Sequence, residues 1–441
     1  MRPSGDDWRD ASMSAPHRIV IVGGGAGGLE LATALGRKLH PNQADVTLVD
    51  CNLTHIWKPL LHEVAAGILD ADREALSYAA QAKWNRFRFV YGRMEGLDRG
   101  RRMIQLAAWV GKHSNVQTPA AELGYDTLVL AVGSVGNDFG APGVAAGCVF
   151  LDSAVLAEDL RENLLERHMS QVTQGAVGPI RIVIVGGGAT GVELSAELID
   201  ANHRMAYYQQ AHKEGLVNLA VTLLEAGPRL LPALPERIGK AAEQDLKSMG
   251  ITVRMNTSVK QASTDGVTDC AGNIIAADVI VWTAGVRAPA FLRAIDGLEC
   301  NRYGQLLVDS TLQTTQDPAV FAIGDCAACP LARGSSQNVA ALAQAAHQQA
   351  ALLVRNLQLR LAGRPLLDFK FQDRGTLISI ASHNTFGKVF GNWIVEGMLA
   401  RFFYVSLYRV HQAALYGYWR TGWLMLGSLL SSSTRPKLKL H

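Results

Sequence analysis

Two stretches of the chain share one hydrophobic pattern. Arg18-Ile-Val-Ile-Val22 and Arg181-Ile-Val-Ile-Val185 are short β-branched apolar runs, each followed by glycines and then by a helical spacing of apolar positions. Continuous apolar runs of this length suit strands of a parallel sheet buried on both faces. Further runs at Val46–Asp50, Leu128–Val132, Val221–Glu225, Asp278–Thr283 and Val320–Ile323 read as strands of the same kind. The two copies are offset by 163 residues, from Gly23 to Gly186, which marks a duplicated domain and not a solenoid. The predicted fold is therefore α/β, with two Rossmann-like three-layer domains. A single unit does not need 163 residues, so the second domain is expected to be nested in the first. The expected boundaries are 17–150 and 299–390 for the two parts of the first domain, 151–298 for the second, and 391–441 for a C-terminal module of different composition.

The glycines supply the chemistry. Gly23-Gly-Gly25-Ala26-Gly27-Gly28 and Gly186-Gly-Gly188-Ala189-Thr190-Gly191 each join a strand to a helix. Such a turn lets the backbone approach a pyrophosphate, whose charge sits at the helix N-terminus. Each copy is followed by an acid at the end of the next strand, Asp50 and Glu225, placed to accept hydrogen bonds from a ribose. Asp50 lies 22 residues beyond Gly28, the usual spacing; Glu225 lies 34 beyond Gly191, which implies an insertion around 202–218. A lone glycine fingerprint is weak. Two complete ones point to two dinucleotides exchanging electrons.

Charge and cysteines narrow the class. The net charge of +3 is too small for a dedicated nucleic-acid binder. Six cysteines in 441 residues make no disulfide framework. The one close pair, Cys326 and Cys329, reads better as a buried structural pair than as a redox dithiol, and two thiols are too few for a closed zinc site; no metal is expected. From Gly397 to His441 there are six Lys or Arg and no Asp or Glu, which leaves 36 basic against 39 acidic residues elsewhere. No apolar run reaches the length of a membrane span, and the N-terminus lacks an apolar signal region, so a cytoplasmic location is the default expectation. In the last segment, Arg401, Arg409, Gln412 and Arg420 fall within an arc of about 100° on a helix, among Phe402, Phe403, Trp419 and Trp423. Rings of this kind favour a membrane interface. The same pattern also fits a helix docked on the body or on a partner chain.

The chain resembles the two-dinucleotide-binding-domain flavoproteins. Val320-Phe-Ala-Ile-Gly-Asp325 is similar to their second flavin motif, and Ala131-Val-Gly133 and Thr283-Ala-Gly285 to their paired short motifs. A narrower resemblance is to the bacterial type II NADH:quinone oxidoreductases. It rests on His55–Ala65, Ile184–Leu198, Glu225–Glu236, Ala343-Gln-Ala-Ala-His-Gln348, Ser406–Gln412 and the final Arg435–His441. One departure is Ala340-Ala341-Leu342, where relatives often carry Pro and Arg. The resemblance implies FAD on Gly23, Gly25, Ala26, Gly27, Gly28, Asp50, Lys58, Met94, Ala131, Gly133 and Asp325. It implies NADH on Gly186, Gly188, Ala189, Thr190, Gly191, Glu225, Ala284 and Gly285. It places Glu193 beside the nicotinamide and flavin, Gln344 at the flavin–quinone junction and Gln348 on the quinone side. From the residues alone, Glu193 also reads as a helix-start carboxylate, the two glutamines as a packing face, and His347 as structural or solvent-facing. The implied reaction passes two electrons from NADH through FAD to a membrane quinone without proton pumping. The expected partners are the quinone and an anionic lipid surface, with no nucleic acid and a homodimer left open; the expected place is the cytoplasmic face of the inner membrane. The alternatives are a sulfide:quinone-type or other flavin disulfide oxidoreductase, and an NADH-sensing flavoprotein that binds a partner through its tail.

Overall fold

The computed structural model describes residues 15–110, 117–174, 178–208, 219–381, 384–389 and 393–431. The chain starts with β1 (His17–Val22), α1 (Ala26–Lys38) and β2 (Ala44–Asp50), then α2 (Leu61–Ala65), β3 (Arg88–Tyr91) and β4 (Thr127–Leu130). It passes into β5 (Val149–Phe150), β6 (Ile180–Val185), α3 (Ala189–Tyr208), β7 (Leu219–Leu224), β8 (Thr252–Arg254) and β9 (Val279–Trp282). It returns through β10 (Gln313–Thr314), β11 (Asp317–Ala322) and α4 (Ala343–Leu361). It ends in β12 (Gly375–Ile380), β13 (Asn384–Val389), β14 (Trp393–Glu396), α5 (Gly397–Tyr416) and α6 (Tyr418–Ser431).

Two sheets follow. The first has the order β10-β11-β4-β1-β2-β3, so it joins strands from both ends of the chain; the second is β5-β9-β6-β7-β8. All neighbours are parallel except β10 against β11. Their strands are buried on both faces, with Ile19, Ile21, Leu128, Ile182, Ile184 and Val281 inaccessible to solvent, which explains why they read as unbroken apolar runs. The β5 strand belongs to the second sheet, so that sheet begins before residue 151. The boundary expected at 390/391 falls inside another sheet, because β14 pairs with β13 and β13 with β12. The strand ladder thus ties the C-terminal helices to residues from Gly375 onward.

The duplication extends to individual hydrogen bonds. Arg18 binds Asp126 through its backbone N–H and guanidinium, and Arg181 binds Asp278 in the same way. The Arg18 guanidinium holds the Asp126 carboxyl down to about 2. Each arginine thereby closes the bottom of its sheet, opposite the glycine turn.

The C-terminal helices depart from the single polar arc expected of them. Gly417, at φ 81°, breaks the segment into α5 and α6, a conformation that glycine adopts without a Cβ penalty. Arg37 donates to the Ala414 and Leu415 carbonyls, satisfying the open end of α5. His411, Gln412 and Leu415 are buried against the first domain, and Arg409 donates to Gln412. The predicted polar arc is therefore split: Arg401 and Arg420 face solvent, while Gln412 turns inward with Arg409 beside it. The solvent face is instead apolar, with Met398, Leu399, Phe402, Trp419, Trp423 and Leu426 exposed. Glu30 and His55 of the body supply the partners of the inward His411, a choice that periodicity along one helix does not reveal. Arg435, Lys437, Lys439, the rest of the final motif and the 209–218 part of the insertion lie outside the described residues.

Candidate active site

The two glycine turns are built alike. The Gly23 N–H donates to Val49 O and the Gly186 N–H to Leu224 O, both at 2.8 Å. Gly24 donates to Asp50 Oδ2 at 2.6 Å, and Gly187 to Glu225 Oε2 at 2.7 Å. The acid at the end of the second strand thus fixes its own glycine turn while holding further lone pairs for a ribose. Gly23 and Gly186 have φ of 101° and 119°, which only glycine adopts readily. A Cβ on Gly28 or Gly191 would overlap the carbonyl oxygen of Gly23 or Gly186, while Gly25, Gly133 and Gly188 open onto free space. The first helix starts at Gly25 with no side-chain cap and no acid in its first turn. Its N–H groups are left for an anion. Ala26 and Gly27 complete the start of α1, and Gly188, Ala189 and Thr190 lie exposed at the mouth of the second turn.

Other predicted residues converge on the first turn. Lys58 Nζ donates to the Ser134 carbonyl at 2.6 Å, and Ser134 Oγ donates to Asp325 Oδ2 at 2.7 Å. Gly324 donates to the buried Gln349. Ala131 donates to Val22 O at the same point where Thr283 donates to Val185 O, so the Ala131–Gly133 and Thr283–Gly285 segments flank equivalent turns. Ala284 and Gly285 lie next to Phe139, which a Cβ on Gly285 would meet. Met94 sits buried in a separate antiparallel sheet of the first domain. Ser134, Gln349 and Tyr78, whose hydroxyl donates to Gly24 O at 2.8 Å, were not singled out from sequence; no local motif marks them.

Gln344 and Gln348 share a face of α4, but their amides are engaged. Gln344 accepts from Arg374 N at 3.0 Å and donates to Gly375 O at 3.1 Å. Gln348 accepts from Gln372 N and donates to Gln372 O. Both glutamines therefore strap the 372–375 segment to α4.

Glu193 lies at the meeting of α2, α3, α5 and β12. Its Oε1 accepts from Ser379 N at 3.0 Å, Tyr404 bonds it, and His62 Nδ1 stands 3.9 Å from its Oε2. Burial pushes Glu193 up to about 8, helped by Glu63 and Glu197. Burial also raises Glu197 to about 8 and Glu63 to about 7, and lowers His62 to about 4. At neutral pH Glu193 and Glu197 are therefore held mainly protonated beside a neutral imidazole. Cys326 and Cys329 are buried free thiols, and burial pushes both up to about 12. That keeps them protonated and weakly nucleophilic, unlike the reactive cysteines a sulfide:quinone-type or disulfide chemistry needs. Among the described residues no group of His, Cys, Asp or Glu could hold a metal ion.

Comparison with known proteins defines the class. Residues 17–350 match the pyridine nucleotide-disulphide oxidoreductase family, and the chain belongs to it. Within it, the chain is 44% identical to the type II NADH:quinone oxidoreductase of Haemophilus influenzae, over 96% of this chain and 99% of that one. It is 25% identical to the Staphylococcus aureus enzyme of the same name, over 85% and 90%. The fold superposes on NDH2 of Plasmodium falciparum in complex with NADH with a TM-score of 0.81, at 17% identity, covering 96% and 99%. The chain is a member of the type II NADH:quinone oxidoreductase family, an FAD- and NADH-dependent enzyme class.

Glu225 carries a prediction on cofactor choice. Its carboxylate already accepts from Gly187 and Gly227, so a 2′-phosphate would meet a fixed anion. NADH is expected to be preferred to NADPH, and Glu225→Gln to reduce the kcat/KM ratio by about 10-fold (one fixed charge removed, ~1.4 kcal/mol). Equal kcat/KM for both cofactors in the unmodified enzyme would remove Glu225 from that role.

Proposed function

We propose that the protein is a peripheral membrane flavoenzyme that reduces a membrane quinone with NADH at the cytoplasmic face, without pumping protons. Bound FAD would supply the hydride-accepting and two-electron-donating chemistry between NADH and the quinone. The chain's own residues position the partners. Gly23, Gly25, Ala26, Gly27, Gly28 and Asp50 hold the first dinucleotide, with Lys58, Ser134 and Asp325 fixing the inner end of its site. Gly186, Gly188, Ala189, Thr190, Gly191 and Glu225 hold NADH, with Ala284 and Gly285 alongside. Glu193, protonated at neutral pH, offers a proton or a hydrogen bond beside the reacting rings. Gln344 and Gln348 act on the quinone side by fixing the 372–375 segment.

The observation that carries the membrane reading is the apolar solvent face of α5 and α6. Phe402, Trp419 and Trp423 are 68%, 79% and 61% exposed, and Arg401 and Arg420 lie exposed on the same helices. Rings and cations together hold a helix in a bilayer interface, each cation adding about 1 kcal/mol near an anionic leaflet. No helix among the described residues is long and apolar enough to cross a membrane. Removing the whole segment would also strip Leu415 and His411 from the core, so point substitutions test the reading better than truncation. Trp419→Ser with Trp423→Ser is expected to lower co-sedimentation with anionic vesicles at least about 10-fold, with NADH reduction of the flavin retained. Equal sedimentation of the variant and the unmodified protein would move the apolar face to a protein partner. Stopped-flow mixing of the unmodified enzyme with NADH, then with a quinone, tests the reaction itself: the flavin band must bleach and return.

A further inference from the structure

Glu30 occupies in the first repeat the position that Glu193 holds in the second, two residues past the last glycine of the turn. Both carboxylates are buried, at 8% and 7% exposure, yet their surroundings are opposite. Glu193 faces Glu63 and Glu197, with the neutral His62 3.9 Å from its Oε2. Glu30 faces histidines: its Oε2 pairs with His347 Nδ1, and its Oε1 with His411 Nδ1 at 2.7 Å. Burial works to raise Glu30, but the hydrogen bonds from His347 and His411 outweigh it and hold the carboxyl below its usual range. Glu30 is therefore an anion, and both facing nitrogens donate to it.

Beyond His411 the chain of contacts continues. His411 Nε2 lies 3.0 Å from His55 Nε2, and the Trp57 ring stacks on His411 at 5.6 Å. Burial and the nearby His411 push His55 down to about 3, and it bonds the Gly24 backbone. His55 is thus neutral, and His411 bridges it to Glu30. This arm locks α5 to the first domain. The other arm reaches solvent. The His347 side chain is 31% exposed and lines a pocket of about 310 Å³ with Gln348, Arg355, Asp368, Lys370 and Arg374.

We propose that Glu30 is a positioning residue of the quinone half-reaction, holding His347 with Nδ1 protonated and its other ring nitrogen at the pocket, so that His347 supplies the proton taken up when quinone becomes quinol. This rests on the reading that α4 borders the quinone. The balance requires a second proton: NADH yields a hydride, which is two electrons and one proton, and a quinol needs two of each. In the step, the His347 Nε2–H bond breaks, a quinone O–H bond forms, and the electron pair stays on Nε2. The neutral ring keeps its Nδ1–H on Glu30, and water in the pocket returns the proton. A carboxylate behind an imidazole fixes its tautomer and stabilises its cation. The facing groups act in both directions: the hydrogen bond that His347 donates to Glu30 raises His347, while burial and Arg374 lower it. Arg355, Lys370 and Asp368 are the other charged groups lining the pocket.

The test uses the FAD-loaded full chain, NADH and a short-chain 1,4-benzoquinone. The unmodified enzyme is run first; if quinone does not reoxidise its flavin, the functional reading fails before this inference is reached. Glu30→Gln keeps the shape and removes the charge. It is expected to slow reoxidation by quinone about 10-fold or more, to leave bleaching by NADH within about twofold, and to move the alkaline limb of the quinone pH profile to lower pH. His347→Asn is expected to slow reoxidation similarly and to abolish that limb. His411→Asn breaks only the other arm and is expected to keep the limb where it was. An unmoved limb in Glu30→Gln, or a His411→Asn variant that reproduces the Glu30→Gln effect while His347→Asn does not, would overturn the proposal and leave Glu30 as an anchor for α5.

Discussion

Gly28→Ala is expected to give a protein that carries little FAD, while Gly191→Ala keeps its FAD and loses NADH affinity. The reason is backbone contact, which no rotamer change can relieve. A Cβ at position 28 would overlap Gly23 O and come within 3.2 Å of the Ala131 Cβ. A Cβ at position 191 would overlap Gly186 O and lie 2.9 Å from Thr283 Oγ1. In each case the helix start must retreat from the strand, and the N–H groups that we propose face a pyrophosphate retreat with it. We expect Gly28→Ala to lower the FAD-to-protein ratio of the purified enzyme to about a tenth, and Gly191→Ala to raise KM for NADH by about 10-fold or more, each equivalent to at least ~1.4 kcal/mol. Flavin absorbance per chain and steady-state KM separate the two. Unchanged values in both variants would mean that the pyrophosphates lie elsewhere.

Stability is expected to fall as pH rises from about 5 to 8. Glu63, Glu193 and Glu197 are pushed up to about 7, 8 and 8, by burial first and then by neighbouring acids: Glu74 for Glu63, Glu63 and Glu197 for Glu193, Glu63 and Asp200 for Glu197. Between the ordinary carboxyl range and these raised values, the folded state holds protons that the unfolded chain has released. Stability therefore declines with pH across that window. A carboxyl raised by two units alone changes stability by about 2.7 kcal/mol, so a fall in Tm of roughly 5 °C is expected from this cluster. Glu197→Gln removes one of the charges without changing its volume, and its Tm-against-pH slope should be visibly flatter than that of the unmodified enzyme. The sign matters: parallel slopes, or stability that rises through the window, would show that the cluster is solvated and ionised.

The duplicated strands, both glycine turns, Asp50, Glu225 and the second flavin motif were legible because each is a local feature. A turn that must admit a pyrophosphate restricts residues a few positions apart, and the acid follows at the end of the next strand. The same logic marked Glu193. It was also available for Glu30, which sits at the matching place in the first repeat, yet nothing near Glu30 in the chain announces its partners. His347 and His411 are 317 and 381 residues away. The opposite protonation of two equivalent carboxylates was decided by what the tertiary structure packs against each: histidines in one case, acids in the other. The C-terminal helices show the same division. Their amphipathic composition is written in the sequence. Which face turns outward was decided by Arg37 closing the end of α5 and by Glu30 holding His411, because a buried polar group must find its partner wherever the fold provides one.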